Sequence, residues 1–170
     1  MAAGNTYVAL ATNTLTSSAF TVTFTSISGI YTDLVLVCQS KLVSGTNDLG
    51  IQFNSDTASN YSRTALSGDG TTASSTRASS ATRLVADLNA YVRSTASIFN
   101  TSISHIQNYS NTDTYKTVLT RSGAGNDGID AIVTLWRSYS AITSIDIFPN
   151  GGSANLDVGS SYTLYGIAAA

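Results

Sequence analysis

The stretch Phe20-Thr21-Val22-Thr23-Phe24-Thr25 decides the fold class, because apolar and hydroxyl-bearing residues alternate along it without a break. Successive side chains of a β-strand point to opposite faces of its sheet. Phe20, Val22 and Phe24 are therefore predicted to face a core, and the three threonines to face solvent. This period of two indicates a strand in an antiparallel sheet with one wet face.

The composition of the whole chain points the same way. Glutamate is absent, lysine occurs only as Lys41 and Lys116, and serine and threonine fill 50 of the 170 positions. Residues that favour exposed helix faces are therefore scarce, whereas residues that suit a pleated surface are plentiful. We predict an all-β, jelly-roll-like antiparallel β-sandwich with at most one short helix. It is expected to be a single domain over residues 1–170, with 1–18 as an N-terminal arm or a first short strand.

Further strands are predicted at regular spacing along the chain. The run Leu34–Cys38 is continuously apolar, which is typical of a strand covered on both sides, in mid-sandwich or at a subunit contact. Leu49, Ile51 and Phe53 alternate with polar residues or glycine. The remaining predicted strands are 98–107, 115–120, 129–137, 142–148 and 162–167. Short strands separated by turn signals favour a sandwich or barrel over βαβ units.

Two segments have a less regular pattern. Residues 67–81 are mostly Ser, Thr, Gly and Ala, and we predict a long, mobile surface loop there. In residues 83–93, Leu84, Leu88, Tyr91 and Val92 fall at helical spacing, but the same residues also permit a strand ending near Asn89. Both interpretations of this second segment stay open.

The charge distribution argues against several classes of partner. Ten aspartates oppose eight basic residues, the net charge is −2, and the arginines are scattered instead of forming a basic stripe. We therefore expect no nucleic-acid partner. The N-terminus lacks the pattern of a signal peptide, and no apolar stretch approaches the roughly 20 residues needed to span a bilayer. We expect synthesis in the cytoplasm of the producing cell and no membrane insertion.

Few residues qualify as catalytic candidates. His105 shares a predicted strand face with Ile103 and Gln107, which favours a hydrogen-bonded structural or interface role. Residue types alone permit a serine–histidine–aspartate triad, but the chain has no Gly-x-Ser-x-Gly elbow to present a nucleophile. The single cysteine, Cys38, lies in an apolar strand and is predicted to be a buried, inert thiol. One cysteine also excludes an intrachain disulfide and a multi-cysteine zinc site.

Two further sets of residues have alternative interpretations. Asp127 and Asp130 lie near glycines, where they suit a calcium loop, a glycosidase pair or a simple turn, and the turn is favoured. Trp136, with Tyr139 nearby, suits sugar stacking, but its alternating strand favours packing in the core or at a subunit interface. We therefore predict no catalytic, metal-binding or cofactor-binding residues, and no cofactor. The residues that bind partners are not identified.

Four stretches in order resemble a known group of proteins. They are Phe24–Leu34, Ile51–Ser62, Leu135–Ile145 and Gly159–Ile167. Together they resemble structural proteins of tailed phages, common in cyanobacterial viruses, in which the domain serves as a capsid cement (decoration) protein. Related domains form the tips of tail fibres and tailspikes. The resemblance spans roughly residues 20–167 and implies a β-sandwich, a homotrimer fixed to the virion, and no catalytic residues to transfer.

From the residues and the resemblance we expect a non-enzymatic virion structural protein. The favoured role is a trimeric cement protein on the outer capsid surface, with the major capsid protein and further copies of itself as partners. The alternative is a receptor- or carbohydrate-binding tip domain of a tail fibre or tailspike, with a host-surface glycan as its partner. Because only about 19 residues precede the first clear strand, we expect no shaft segment, which favours the capsid role. A polysaccharide-degrading enzyme is the third and least favoured class.

Overall fold

The computed structural model describes residues 6–88, 91–93, 98–125, 128–151 and 154–168 of the 170-residue chain. Within these ranges the chain forms β-strands and no helix. In chain order the strands are β1 (Tyr7–Thr14), β2 (Val22–Phe24), β3 (Asp33–Ser40), β4 (Thr46–Phe53), β5 (Tyr61–Gly68), β6 (Ala73–Ala81), β7 (Leu84–Val85), β8 (Val92–Arg93), β9 (Asn100–Ile106), β10 (Lys116–Gly123), β11 (Ile129–Trp136), β12 (Ile145–Asn150) and β13 (Ser161–Ile167). The predicted all-β fold is confirmed.

The strands form two antiparallel sheets. The larger sheet has eight strands in the order β1-β13-β3-β9-β10-β11-β5-β6. The smaller has the order β2-β12-β4-β7, and β8 pairs with β4 beside this path. The chain passes repeatedly from one sheet to the other, for example at β2 to β3 and again at β3 to β4. This connectivity gives the antiparallel, jelly-roll-like sandwich that the composition predicts.

The core lies between the two sheets. One cluster of buried apolar side chains draws on both, with Leu34 and Leu36 of β3 facing Ile51 and Phe53 of β4 across the sandwich. β3 lies inside the larger sheet, between β13 and β9, as its continuous apolar run predicts. Burial of these side chains supplies most of the stabilisation that a sandwich of this kind has.

The face predicted for the segment Phe20–Thr25 is right for two of its three apolar residues. Val22 and Phe24 are buried, but Phe20 is 45% exposed and stacks on Phe148 with ring centroids 6.5 Å apart. β2 pairs with β12 only over Val22–Phe24, and the preceding Ala19 makes its own bridge to Leu156. Because the regular strand begins after Phe20, the alternation does not extend to this residue.

The prediction of a mobile loop over residues 67–81 is wrong. β5 and β6 form an antiparallel hairpin in this region. Asp69 closes its turn, since Oδ1 accepts hydrogen bonds from the backbone N–H groups of Thr71 and Thr72 at 2.8 and 2.7 Å. β6 is an edge strand whose side chains are nearly all exposed, so it needs no apolar alternation. A strand that buries neither face shows no alternation of apolar and polar residues, so its sequence does not reveal it.

The helical interpretation of residues 83–93 is also wrong. Leu84–Val85 and Val92–Arg93 form two short strands that pair with β4, and Leu84 and Val85 are both buried. The alternative, a strand ending near Asn89, is right in kind but too long, because β7 ends at Val85; Asn89 itself lies outside the described residues. Burial on both sides of the chain produces apolar spacing that resembles a helix.

At the N-terminus the expected arm or first strand is a strand. β1 pairs with β13 over its whole length, with a bulge between Ala9 and Ala11. It forms one edge of the larger sheet, and β6 forms the other.

Candidate functional site

His105 lies on the side of the larger sheet that points away from the smaller one, which we call the outer face. Its Nε2 is 2.9 Å from Oδ2 of Asp33, and Oδ1 of the same carboxylate accepts a hydrogen bond from the backbone N–H of Asn108 at 2.8 Å. No hydroxyl lies within hydrogen-bond distance of the imidazole in the described part of the chain. Asp33 thus joins the start of β3 to the end of β9, and the two residues do not extend to a serine triad.

Asp130 does not lie in a turn, as the nearby glycines suggested. It lies in β11, is nearly fully buried, and accepts hydrogen bonds from Ser67 Oγ at 2.5 Å, the Leu88 backbone N–H at 2.8 Å and Ser122 Oγ at 3.3 Å. The two serines lie in the neighbouring strands β5 and β10, Leu88 follows β7, and the three donors together compensate the desolvation of the carboxylate. Asp127 falls outside the described residues, so neither the turn favoured for it nor the alternative of an Asp127–Asp130 pair is tested there.

A buried acidic cluster near Asp130 was missed by the sequence analysis. Asp87 is fully buried, and its Oδ1 accepts a hydrogen bond from the Leu49 N–H at 3.0 Å. Burial raises the pKa of Asp87 well above its ordinary value, and the nearby carboxylates of Asp48 and Asp130 raise it further. Burial also raises the pKa of Asp48. The only sequence signal is an aspartate inside the apolar run that continues from Leu84 to Leu88.

The buried carboxyl group of Asp87 is only partly hydrogen-bonded. Oδ2 of Asp87 has no hydrogen-bond partner among the described residues. Over the same described ranges, no three His, Cys, Asp or Glu side chains are placed to share a metal ion. Because burial raises the pKa of this carboxyl group in the folded state, its titration is expected to make the stability of the fold depend on pH.

Trp136 is a core residue, as the alternation of its strand predicts. It is almost fully buried and packs edge-on against Phe53 with ring centroids 5.5 Å apart. Its Nε1–H donates to Oδ2 of Asp56 at 2.7 Å. Burial tends to raise the pKa of Asp56, but hydrogen bonds from Asn60, Trp136 and the Ala58 N–H hold it below its usual value. Trp136 therefore presents no ring to a sugar.

A different aromatic pair is exposed. Tyr115 and Tyr139 lie with ring centroids 4.9 Å apart and are 41% and 56% exposed. A hydrogen bond with Tyr115 raises the pKa of the Tyr139 hydroxyl. These two tyrosines, not Trp136, are available to a ligand that stacks on aromatic rings.

Cys38 is buried in the core and unpaired. Burial raises the pKa of its thiol to about 12. The predicted burial is confirmed, and because the thiolate is the reactive species, a raised pKa favours the inert thiol that the sequence predicts.

The most extensive unexplained feature is the outer face itself. Strands β9, β10 and β11 alternate buried and less buried residues, so that every second side chain points away from the core. Many of the outward side chains are nevertheless apolar. They include Tyr7, Leu66, Ile103, Leu119, Ile129 and Val133.

Strand register places these apolar residues in rows across the sheet. Tyr165 lies opposite Val35, Val35 opposite His105, His105 opposite Leu119, and Leu119 opposite Val133. Val35 is buried although it is not part of either core cluster, because its neighbours on the outer face cover it. The sequence showed only a pair of apolar neighbours at several points in β10 and β11, which did not reveal a continuous surface.

The outer face is uneven. A hollow of about 320 Å³ is bordered by Tyr7, Val35, Ile103 and Leu119, and a second of about 450 Å³ lies near Val133. Both are open to solvent and have mixed polar and apolar walls. They are shallower than the enclosed apolar pockets that usually hold small ligands.

Comparison of the chain with protein-family models, curated proteins and solved structures finds no match. The resemblance to virion proteins therefore rests on the sequence stretches alone. In the described ranges, no helix has the length and apolar character required to cross a bilayer.

Proposed function

We propose that this chain is a non-enzymatic structural protein of a phage virion, and that it acts as a trimeric capsid cement protein on the outer capsid surface. The main support for this proposal is that the titratable candidate side chains form hydrogen bonds within the fold. The candidate side chains that lie within the described residues make contacts that stabilise the fold. His105 bonds to Asp33, Asp130 bonds to two serines, and Trp136, the candidate for sugar stacking, bonds to Asp56 in the core.

The surface chemistry supports the same role. Exposed hydroxyl groups at the smaller sheet make hydrogen bonds across the surface, as in Thr23 and Ser55, which donate to Asp146 at 2.8 and 3.0 Å. Such hydroxyl groups provide a wet surface with few charges. A protein packed at high local concentration on a shell needs a soluble surface together with defined contact faces, and this chain combines the two.

The partners proposed are the major capsid protein and further copies of this chain. A trimer that contacts several capsid subunits gains strength from effective concentration, because its second and third contacts become intramolecular once the first has formed. Many moderate contacts then add to a firm attachment without any single essential residue. The protein is made in the host cytoplasm and attaches to the assembled shell.

The test compares particles assembled with and without the protein during a heating ramp, with release of DNA as the signal. Particles that lack it are expected to release DNA at a lower temperature, and purified protein added back is expected to restore the original value. Equal release temperatures contradict the cement role. Release of reducing sugar from host polysaccharide by the purified protein would contradict the non-enzymatic assignment.

The second candidate is a glycan-binding tip domain, which one observation favours. Tyr115 and Tyr139 expose neighbouring rings of the kind that stack on sugars. A glycan array with wild type and with Tyr115→Ala/Tyr139→Ala tests this role, and Tyr7→Ala is the control at another exposed tyrosine. Binding that is lost only in the double variant, together with unchanged capsid stability, favours the tip domain.

A further inference from the structure

We propose that the outer face of the eight-stranded sheet is the interface between copies of this chain. This inference rests on the proposed function for the number of copies, three, but not for the existence of the interface. It assigns a location to self-association that the sequence resemblance implies without placing it.

The outer face exposes several large apolar side chains. Leu119 and Val133, which lie opposite each other in the middle of the sheet, are 50% and 47% exposed, and Ile129 and Leu66, on the same face of β11 and β5, are 67% and 61% exposed. Soluble monomers rarely expose contiguous apolar surface beyond a few hundred Å². The other outward positions of the larger sheet are mixed, with further apolar residues such as Tyr7, Val35 and Ile103 among threonine, serine and a few charged residues.

The area of the outer face matches that of a protein–protein interface. Eight strands spaced about 4.8 Å apart, with about seven residues each at about 3.3 Å, form a face of about 800 Å². A stable protein–protein interface of standard size buries about 800 Å² on each partner. The face therefore has the extent that a second copy requires, and much more than a small ligand or a single peptide strand covers.

The outer face carries few charged residues, and they are of both signs. The outer face carries Arg77 and Arg121 as its cations and Asp33, at one end of β3, as its acid among the described positions. Such a surface offers neither a basic stripe for a polyanion nor an acidic one for a basic partner. A mixed, nearly neutral face containing arginine and tyrosine resembles the composition of interfaces between proteins.

The outer face has both projecting side chains and hollows. Exposed Leu66, Leu119 and Ile129 project from a surface that also has hollows of about 320 and 450 Å³. Projecting side chains of one copy can fill the hollows of the next. Three larger sheets that face a common axis would enclose this surface and leave the smaller sheets in solvent.

The test uses an aspartate placed on the face and a matched control. Leu119→Asp puts a charge at the centre of the outer face, whereas Val43→Asp changes a residue of equal exposure, 51%, in the segment between β3 and β4. The solution mass of each protein is measured by light scattering at micromolar concentration. Wild type and Val43→Asp are expected to be oligomers, and Leu119→Asp a folded monomer, with its fold checked by circular dichroism.

A second measurement keeps the inference testable if Leu119→Asp does not fold. Leu119→Cys and Val43→Cys are labelled separately with a maleimide, while the buried Cys38 remains unreactive. Leu119→Cys is expected to react at least ten times more slowly than Val43→Cys under native conditions. Equal labelling rates, a monomeric wild type, or an oligomeric and folded Leu119→Asp would each overturn the inference.

The outcomes separate this inference from the proposed function. If wild type oligomerises through the outer face but changes no particle's DNA-release temperature, the interface stands and the cement role fails. If a monomeric Leu119→Asp and an oligomeric wild type stabilise particles equally, the interface stands but trimer formation is not needed for the role. If wild type is a monomer and still stabilises particles, the interface fails and the cement role stands.

Discussion

At the scale of single residues, the two faces of β2 differ sharply in their surroundings. Phe24 is almost fully buried in the core, whereas Thr23 is exposed and donates a hydrogen bond to Asp146 at 2.8 Å. Phe24→Ala is expected to lower the free energy of unfolding by about 3–5 kcal/mol through lost burial and a residual cavity. Thr23→Ala is expected to cost less than about 1.5 kcal/mol. Chemical denaturation measures both, and similar unfolding midpoints would contradict the assignment of the faces.

The buried carboxyl group of Asp87 is expected to control how stability varies with pH. Because its pKa is raised in the folded state, the folded protein favours the protonated form. This contribution to stability is fully present below the unfolded pKa of about 3.9 and is lost as pH rises through the folded pKa, by about 1.4 kcal/mol per unit of difference. Asp87→Asn is expected to reduce the decline in unfolding free energy above pH 4, measured by urea denaturation across a pH series.

A matched control for this effect is Asp69→Asn. Asp69 is exposed, and hydrogen bonds from the backbone of Thr72 and Thr71 lower its pKa to about 2. Its contribution is therefore lost only as pH falls through that value, and Asp69→Asn is expected to leave the decline above pH 4 unchanged. The account of Asp87 fails if wild type and Asp87→Asn show the same pH profile.

Sequence reasoning succeeded at residues whose environment follows from a strand pattern. Trp136 and Cys38 lie on alternating or continuously apolar strands, and both are buried as predicted. It failed at Phe20, where the pattern extends beyond the residues that pair, and at Asp130, whose hydrogen-bond partners include the sequence-distant Ser67 and Leu88. Long-range hydrogen-bond partners are not visible in a local pattern.

At the scale of elements, β6 is the clearest departure from the local signal. Its backbone pairs with β5 on one side only. We expect hydrogen exchange measured by NMR to show alternating protection along residues 73–81, with the amides that face β5 exchanging slowly and the others rapidly. Rapid exchange at every one of these amides would restore the mobile loop that the composition suggested.

A close approach between two segments gives a second test at this scale. A Cβ added at Gly166 of β13 would lie 2.5 Å from the Tyr31 ring. Gly166→Ala is therefore expected to lower the melting temperature, with a cost of about 1–3 kcal/mol from the forced displacement of that ring. Gly125 has no neighbour within 4 Å of its hypothetical Cβ, so Gly125→Ala is expected to change stability by less than about 0.5 kcal/mol. Equal melting temperatures for the two variants would contradict the packing described.

Most strands that the sequence predicted correctly have one wet and one dry face. β4, β9 and β13 belong to this group, and their observed bounds differ from the predicted ones by a few residues. β3 was recognised instead by a continuous apolar run, which is typical of a strand covered on both sides. β6 has two wet faces and β7 has only two residues, both buried, so neither shows a period of two or a long apolar run.

At the scale of the whole molecule, the sandwich has an apolar outer face that no part of the described chain covers. A homotrimer would cover it, so light scattering on purified protein is expected to give about three times the 17.6 kDa chain mass. The oligomer is expected to dissociate only on dilution well below micromolar concentration. A stable monomer at micromolar concentration would contradict the expected assembly.

The candidate site was less predictable than the fold. The outer face arises from the register of six strands that are scattered along the chain, and one-dimensional patterns do not show which apolar residues become neighbours. The exposed Tyr115 and Tyr139 pair was missed for the same reason. Self-association was inferred from the resemblance, but the surface that carries it required the three-dimensional arrangement.

Near-atomic imaging of an intact particle tests the central claim most directly. The account predicts density for this β-sandwich on the outside of the capsid shell, in groups of three, with the eight-stranded sheets turned toward one another and the smaller sheets outward. Density for the same sandwich at the tip of a tail fibre, or none on the particle, would contradict the cement role. Copies on the capsid whose eight-stranded sheets face solvent would contradict the interface.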